Sequence, residues 1–279
     1  MGIDSQNFNF LKYVQKNKVT FGRTITLGRL ALFNIEDTIF ERYAIEDQKY
    51  AEQLLEKLFG ASSIESIDNS GYENSTYIFD MNKDLIDFKN YDTVIDFGCT
   101  EHIYNIGNCF NNIRKLCDVG GVILHAVPSN GCCGHGFYQF SPEFFYSMYS
   151  EKNGFSNTEI YLVDMDNHKY WYKLDPKFKG NRINIKSLSE LYVFVTTTKQ
   201  RHVETLEIQQ SDYEVIWDKS FRKDTALKSG NKSILKFIKK FIFLTKLYRI
   251  LDDFLSPSGA KNLNSNPYLI KVSVKELSN

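Results

Sequence analysis

The sequence has no excess of either charge. Its 279 residues carry 34 Lys+Arg against 34 Asp+Glu, a formal net charge of +0. That balance argues against a general nucleic-acid binder, although it is compatible with a local basic patch. Long apolar runs are also missing: the longest fall well short of the roughly 18 residues needed to cross a bilayer. The stretch Met1 to Phe10 has no basic segment followed by an apolar one, so no secretion signal is read there. Cysteine is scarce, with five residues, an odd number, two of them adjacent at Cys132 and Cys133. Such usage suits reduced thiols better than a disulfide framework. The resulting expectation is a soluble cytoplasmic protein. No internal repeat or low-complexity tract occurs. The G-x-S-x-G elbow, the G-x-x-x-x-G-K-[ST] phosphate loop and the dinucleotide fingerprint are all absent. Cys132, Cys133 and His135 lie close together, but adjacent cysteines rarely both reach one tetrahedral zinc. No second Cys/His pair has ligand spacing, so no metal is expected.

What is present is apolar and aromatic: 42% hydrophobic residues, with 22 Phe and 17 Tyr, enough to fill a substantial core. Short β-rich runs alternate with helical stretches, the pattern of an α/β domain with a mostly parallel sheet. Strands are expected at 19–27, 63–67, 76–79, 93–95, 122–127, 159–163 and 190–197. The run at 122–127 is nearly all apolar, as a strand buried on both faces should be. Helices are expected at 36–58, with Gly60 as the stop, at 106–117, and from Pro142 to about Ser150. Tyr170, Trp171 and Tyr172 fall in a polar insertion and read either as part of an acceptor lid or as a small satellite core.

Three of the first four strands run into an aspartate: Asp68, Asp80 and Asp96. Ligands of open α/β sheets bind beyond the carboxyl ends of the strands, where acidic side chains can accept from ribose hydroxyls or base amines. Three such aspartates on one edge favour a nucleoside-shaped ligand; the alternative is that each is a turn residue or helix cap.

The order strand, helix, Asp68, Asp80, YDTVIDFGCTEHI, helix, DVGGVILHAVP resembles the class I S-adenosylmethionine-dependent methyltransferases over about residues 19–200. The likeness is carried by Asp92, Val94, Glu101, His102, Arg114-Lys115-Leu116 and Gly120-Gly121. The segment HGFYQFSPEFFY, His135 to Tyr146, resembles a branch met in bacterial surface-polysaccharide and sugar modification. The resemblance implies a Rossmann-like, seven-stranded, mostly parallel sheet and S-adenosylmethionine as cofactor. It also implies O-methylation of a sugar, glycan precursor or phosphorylated or nucleotide-linked metabolite. Carried over residue by residue, Asp68 would take the ribose hydroxyls, Asp80 and Met81 the adenine edge, and Asp96, Phe97 and Gly98 the methionine side. The family's first strand runs into a Gly-x-Gly-type loop, whereas this chain has Gly28 followed by Arg29. Either Gly28 suffices, with Arg29 meeting the cofactor carboxylate, or binding is weakened or lost. In the latter case the chain would be an inactive methyltransferase-like scaffold in a glycan-assembly complex.

Methyl transfer needs an aligned acceptor and often a base to take its proton. His102 and His135 are the candidates, with Tyr138 beside them to orient the acceptor; each also has a plain structural reading. His125, inside a strand, reads as a satisfied core residue.

Residues 1–205 are expected to form the Rossmann-like domain and 206–279 a C-terminal extension. Positions 219–249 hold ten Lys/Arg against one Asp, and 233–255 is read as a long basic helix. It could rest on an anionic membrane surface, steer a phosphorylated acceptor, or pack on the body or on a second subunit of a homodimer.

Overall fold

The computed structural model describes residues 2–17, 20–217 and 261–278. The basic helix expected at 233–255 lies outside the described residues.

In chain order the strands are β1 (Gly2–Ile3), β2 (Gly22–Leu27), β3 (Ala31–Leu32), β4 (Ala61–Asp68), β5 (Tyr77–Ile78), β6 (Tyr91–Phe97), β7 (Cys117–Asn130), β8 (Phe155–Asp164), β9 (Tyr170–Leu174), β10 (Leu191–Lys199) and β11 (Leu269–Ser273). The helices are α1 (Ser5–Asn17), α2 (Asp37–Arg42), α3 (Glu52–Phe59), α4 (Ile106–Leu116), α5 (Pro142–Met148), α6 (Ser211–Trp217) and α7 (Val274–Ser278).

Nine strands form one sheet in the order β11-β9-β8-β10-β7-β6-β2-β4-β5. The α/β architecture expected from the alternating runs is met, with nine strands instead of seven. β5, β4, β2, β6 and β7 run parallel to their neighbours, and β10, β8, β9 and β11 continue the sheet in antiparallel pairings. The chain steps outward from β2 to β4 and β5, then crosses to β6 and β7 on the other side. The strand order therefore reverses between β2 and β6, the kind of point at which open α/β sheets bind ligands.

The central strands are apolar on both faces because helices cover both. On β7, Leu124 and Ala126 join Phe10, Leu54, Phe59 and Phe194 on the α1/α3 side. Ile123 and Val127 join Phe110, Ile113, Phe145 and Met148 on the α4/α5 side. Each face is a closed apolar layer, so any polar group between them must find its partner there.

Two further expectations are corrected. The helix expected at 36–58 is two short ones. Ala44 takes φ +51°, and Asp47 Oδ1 accepts from Lys49 N at 2.9 Å, a local bond that competes with helix continuation. Gly60 does end α3, at φ +67°. Of the aromatic trio, Tyr172 does lie in a small satellite cluster with Leu162, Leu191 and Leu263, whereas Trp171 belongs to the main core. It is fully buried, edge-on to Phe10, Tyr161 and Phe194, and its Nε1 donates to Gln6 Oε1 at 3.0 Å. The parts of 206–279 that are described pack on the body. Ser211 N donates to Glu143 Oε1 at 2.6 Å, and β11 is the edge strand of the same sheet, paired with β9 from Leu269↔Leu174 to Ser273↔Tyr170.

Candidate active site

The carboxyl ends of β4, β2, β6 and β7 bring the chemistry-bearing residues to one edge. Asp68 closes β4 and is half-buried. Among the described residues its carboxylate accepts one hydrogen bond, from Ser70 N at 3.1 Å. Asp80 follows β5 on the neighbouring strand, and Phe79 N, donating to Asp68 O at 2.7 Å, ties the two strand ends together. Asp80 Oδ1 accepts from Asn82 N and Nδ2, bonds that hold its carboxyl below the usual carboxylate range. Beside it lies an open cleft of about 700 Å³ lined by Asp80, Asn82, Tyr104, Asn105, Gly107 and Tyr138. Asp80 and Tyr138 thus meet at one hollow. Tyr138 Oη donates to Tyr104 O at 2.7 Å, which fixes its ring at the rim.

Gly28 and Gly98 end the two strands flanking the reversal, at φ +71° and +85°, a backbone shape that glycine takes without penalty. Gly28 N donates to Ile67 O at 2.8 Å, and its carbonyl accepts from Thr26 Oγ1 at 2.7 Å, so its own polar groups serve the fold. Arg29 does not reach outward as the resemblance implied. It is paired with Glu52 at 2.6 Å, donates to Glu73 O and stacks on Tyr50 with its guanidinium carbon 3.8 Å from the ring centre. Met81 and Phe97 turn their side chains into the two apolar layers, leaving only backbone for a ligand.

Asp96 has a structural task in place of the expected ligand contact. It is fully buried, beside His125 on the adjacent parallel strand in register. Its Oδ1 accepts from Cys99 N and Thr100 N, and its Oδ2 from Thr100 Oγ1 at 2.8 Å and from His125 Nδ1 at 2.7 Å. A carboxylate only accepts, so Nδ1 donates, and a neutral ring then offers Nε2 to the Tyr149 hydroxyl at 2.6 Å. Burial pushes that phenol well above its ordinary range and keeps it a donor. His125 is therefore a satisfied core residue, and Asp96 pins the turn that carries Gly98 to Thr100.

That pinned turn presents Glu101. Its side chain is wholly buried, and neither carboxylate oxygen receives a hydrogen bond. Burial, with the charge of Asp96 behind it, pushes its carboxyl up to about 8. The loop 131–139 closes over it: Phe137 N donates to Glu101 O at 2.7 Å. Gly136, at φ +75°, sits so close that a Cβ there would lie 2.8 Å from Glu101 O. This contact places His135 Nε2 at 3.4 Å and His102 Nε2 at 3.9 Å from Glu101 Oε1. Both imidazoles are half-exposed, with ring centres 5.2 Å apart. Burial, then the neighbouring His135, lowers the His102 pKa.

The two histidines expected at the site thus do meet, around Glu101, which the sequence reading names in the Glu-His pair but not as a site residue. Glu101 and His135 are 34 positions apart, and only the β6 and β7 strand ends bring them together. The available signal was the Glu101-His102 pair just past an aspartate-ended strand, together with the glycines at 134 and 136.

No protein-family model and no curated protein matches the chain. Solved structures that resemble it include TehB from Haemophilus influenzae, at 13% identity and TM-score 0.42 over 71% of this chain and 65% of that one. The N-methyltransferase NodS from Bradyrhizobium japonicum WM9 resembles it at 10% identity and TM-score 0.39, over 71% and 99% of the two chains. A 1,6-didemethyltoxoflavin-N1-methyltransferase from Burkholderia thailandensis, with S-adenosylhomocysteine bound, overlaps at 12% identity and TM-score 0.37, over 68% and 77%. Overlaps this loose give no residue correspondence, and the site stands on this chain's own geometry.

Proposed function

We propose that this chain binds S-adenosylmethionine and methylates an oxygen of a sugar, glycan precursor or phosphorylated metabolite. The observation that carries the reading is the pair of carboxylates, Asp68 and Asp80, at the ends of neighbouring parallel strands, with Asp80 lining an open cleft. That edge adjoins the reversal of strand order. The residues present fit the adenosine end of the cofactor. Asp68 would accept from the ribose hydroxyls, and Asp80 with the backbone of Met81 would take the adenine edge. The turn at Gly98 would let the methionine portion approach. When bound, the cofactor supplies a methyl group on a sulfonium, already a good leaving group.

The rest falls to the chain. An acceptor seated between the cleft and the Glu101 cluster would be oriented by Tyr138, whose ring is anchored through its hydroxyl. His135, whose Nε2 lies 3.4 Å from Glu101 Oε1, would take the acceptor's proton, a role that suits imidazoles in general. The sugar-type acceptor rests on the resemblance of His135 to Tyr146 to enzymes of surface-polysaccharide modification.

A second reading is favoured by one observation. Arg29 and Gly28 are spent inside the fold, as they would be in a methyltransferase-like scaffold without activity. Calorimetry of the full chain with S-adenosylmethionine and S-adenosylhomocysteine separates the two. Binding of both is expected, weakened in Asp68→Ala by roughly 1–3 kcal/mol, the loss of hydrogen bonds to a charged group. No heat at millimolar ligand would leave the scaffold.

A further inference from the structure

We infer that Glu101, His102 and His135 form a binding site for one divalent first-row metal ion of the zinc type. One oxygen of Glu101 and one nitrogen of each imidazole lie within 4.8 Å of one another. Metal–nitrogen and metal–oxygen bonds of about 2.1 Å in a tetrahedron separate the ligand atoms by roughly 3.4 Å. Glu101 Oε1 and His135 Nε2 already stand 3.4 Å apart, and His102 Nε2 is 3.9 Å from the same oxygen. Both imidazoles are half-exposed, so small rotations of the two rings complete the set.

A second, independent observation points to a cation. Glu101 is wholly buried, and both its oxygens lack hydrogen-bond donors. A carboxylate in that condition is costly unless it takes up a proton, is paired or ligates a metal. The fold spends structure on keeping it there. Asp96 fixes the turn before it, and the close approach of Gly136 fixes the loop over it. The turn and the loop around the carboxylate are thus both fixed, while the two imidazoles come from the solvent side.

Two imidazoles and one carboxylate are the ligands of catalytic zinc sites, which keep a fourth position open for an oxygen ligand. A hydroxyl or water oxygen would take that position here, on the solvent side of the two half-exposed imidazoles. Ligation would replace the base role of His135 while leaving methyl transfer as the reaction. Metal binding does not depend on that reaction, and a failure of either leaves the other standing.

The test is calorimetric titration of the metal-free full chain with zinc chloride, followed by thermal unfolding with and without zinc. One equivalent is expected to bind in the micromolar range or tighter and to raise the melting temperature by mass action. His135→Ala and His102→Ala, both at half-exposed positions that leave the core intact, should each weaken binding at least about tenfold. Glu101→Gln, which keeps the shape, should abolish the zinc-induced rise. Cys132→Ser/Cys133→Ser should bind as wild type does, and the cobalt-loaded protein should show no thiolate charge-transfer band. Absence of binding, unchanged affinity in His135→Ala, or loss of affinity in the cysteine variant would each overturn the assignment.

Discussion

Two clusters a few residues apart are built from the same chemistry and behave oppositely. Asp96, His125 and Tyr149 form a chain between the apolar layers, fully buried, in which each carboxylate oxygen and each ring nitrogen has a partner at 2.6–3.2 Å. Glu101, His102 and His135 form a cluster at the strand ends in which the carboxylate is just as buried but receives no hydrogen bond. Its imidazoles are half open to water. The first spends all its hydrogen-bonding capacity on holding the β6 turn. The second leaves its carboxylate oxygens without a hydrogen-bond donor among the described residues. Carboxylate and imidazole therefore do not mark function by their presence; what distinguishes the clusters is whether the folded chain already satisfies them.

Deleting the imidazole on the buried side should have the largest effect. His125→Ala leaves Asp96 short of a partner in a closed layer and should cost about 3–5 kcal/mol, as when one member of a buried pair is removed. Chemical denaturation measures it, and a loss below about 1 kcal/mol would erase the distinction. The next effect has the opposite sign. Burial raises the Glu101 carboxyl from its ordinary 4.5 to about 8, so between those values the folded state binds more protons than the unfolded one. The stability of the metal-free protein should fall as pH rises through that window and level off above it. Glu101→Gln should remove the fall. It should gain on the order of 2–3 kcal/mol over wild type above about pH 8 and almost nothing below about pH 4.5. An equal gain at every pH would mean that packing, not charge, is responsible. Tyr149→Phe removes only the far end of the buried chain and should cost about 1–2 kcal/mol by leaving His125 Nε2 unpaired. Smallest of all, His135→Ala should change folding stability by less than about 0.5 kcal/mol, because its ring is half-exposed. A cost like that of His125→Ala would place His135 among the structural residues.

The parts of this molecule legible in the sequence are those set by local pattern. The apolar run at 122–127 has no alternation because both faces are covered, and it is the middle of β7. Gly60 and Pro142 mark a helix end and a helix start because their backbone preferences are intrinsic. α1 carries local signals of the same kind, although no helix is expected there from the sequence reading. Asp4 Oδ1 accepts from Asn7 N at its start, and Phe8 and Leu11 share a buried face. β9 and β11 were not legible as sheet strands, because an edge strand is defined by its partner and β11 pairs with a segment about a hundred residues earlier. At the site, His102 and His135 could be named from type and flanking glycines. Asp96 could not be told from Asp68: both end strands, and only the helix layer above β6 decides which is sealed.

The order of residues determined by itself that this chain alternates strands and helices, that three carboxylates end early strands, and that two histidines follow the runs at 93–95 and 122–127. Those facts rest on backbone preferences and short-range periodicity, which act within a few residues. The tertiary structure decided which polar groups are used up and which are left with capacity. Asp96 is closed in beside His125 by parallel register, Arg29 is claimed by Glu52, and Glu101 is roofed by a glycine 35 positions away. Desolvation and hydrogen-bond satisfaction depend on every neighbour in space, and those neighbours come from distant strands.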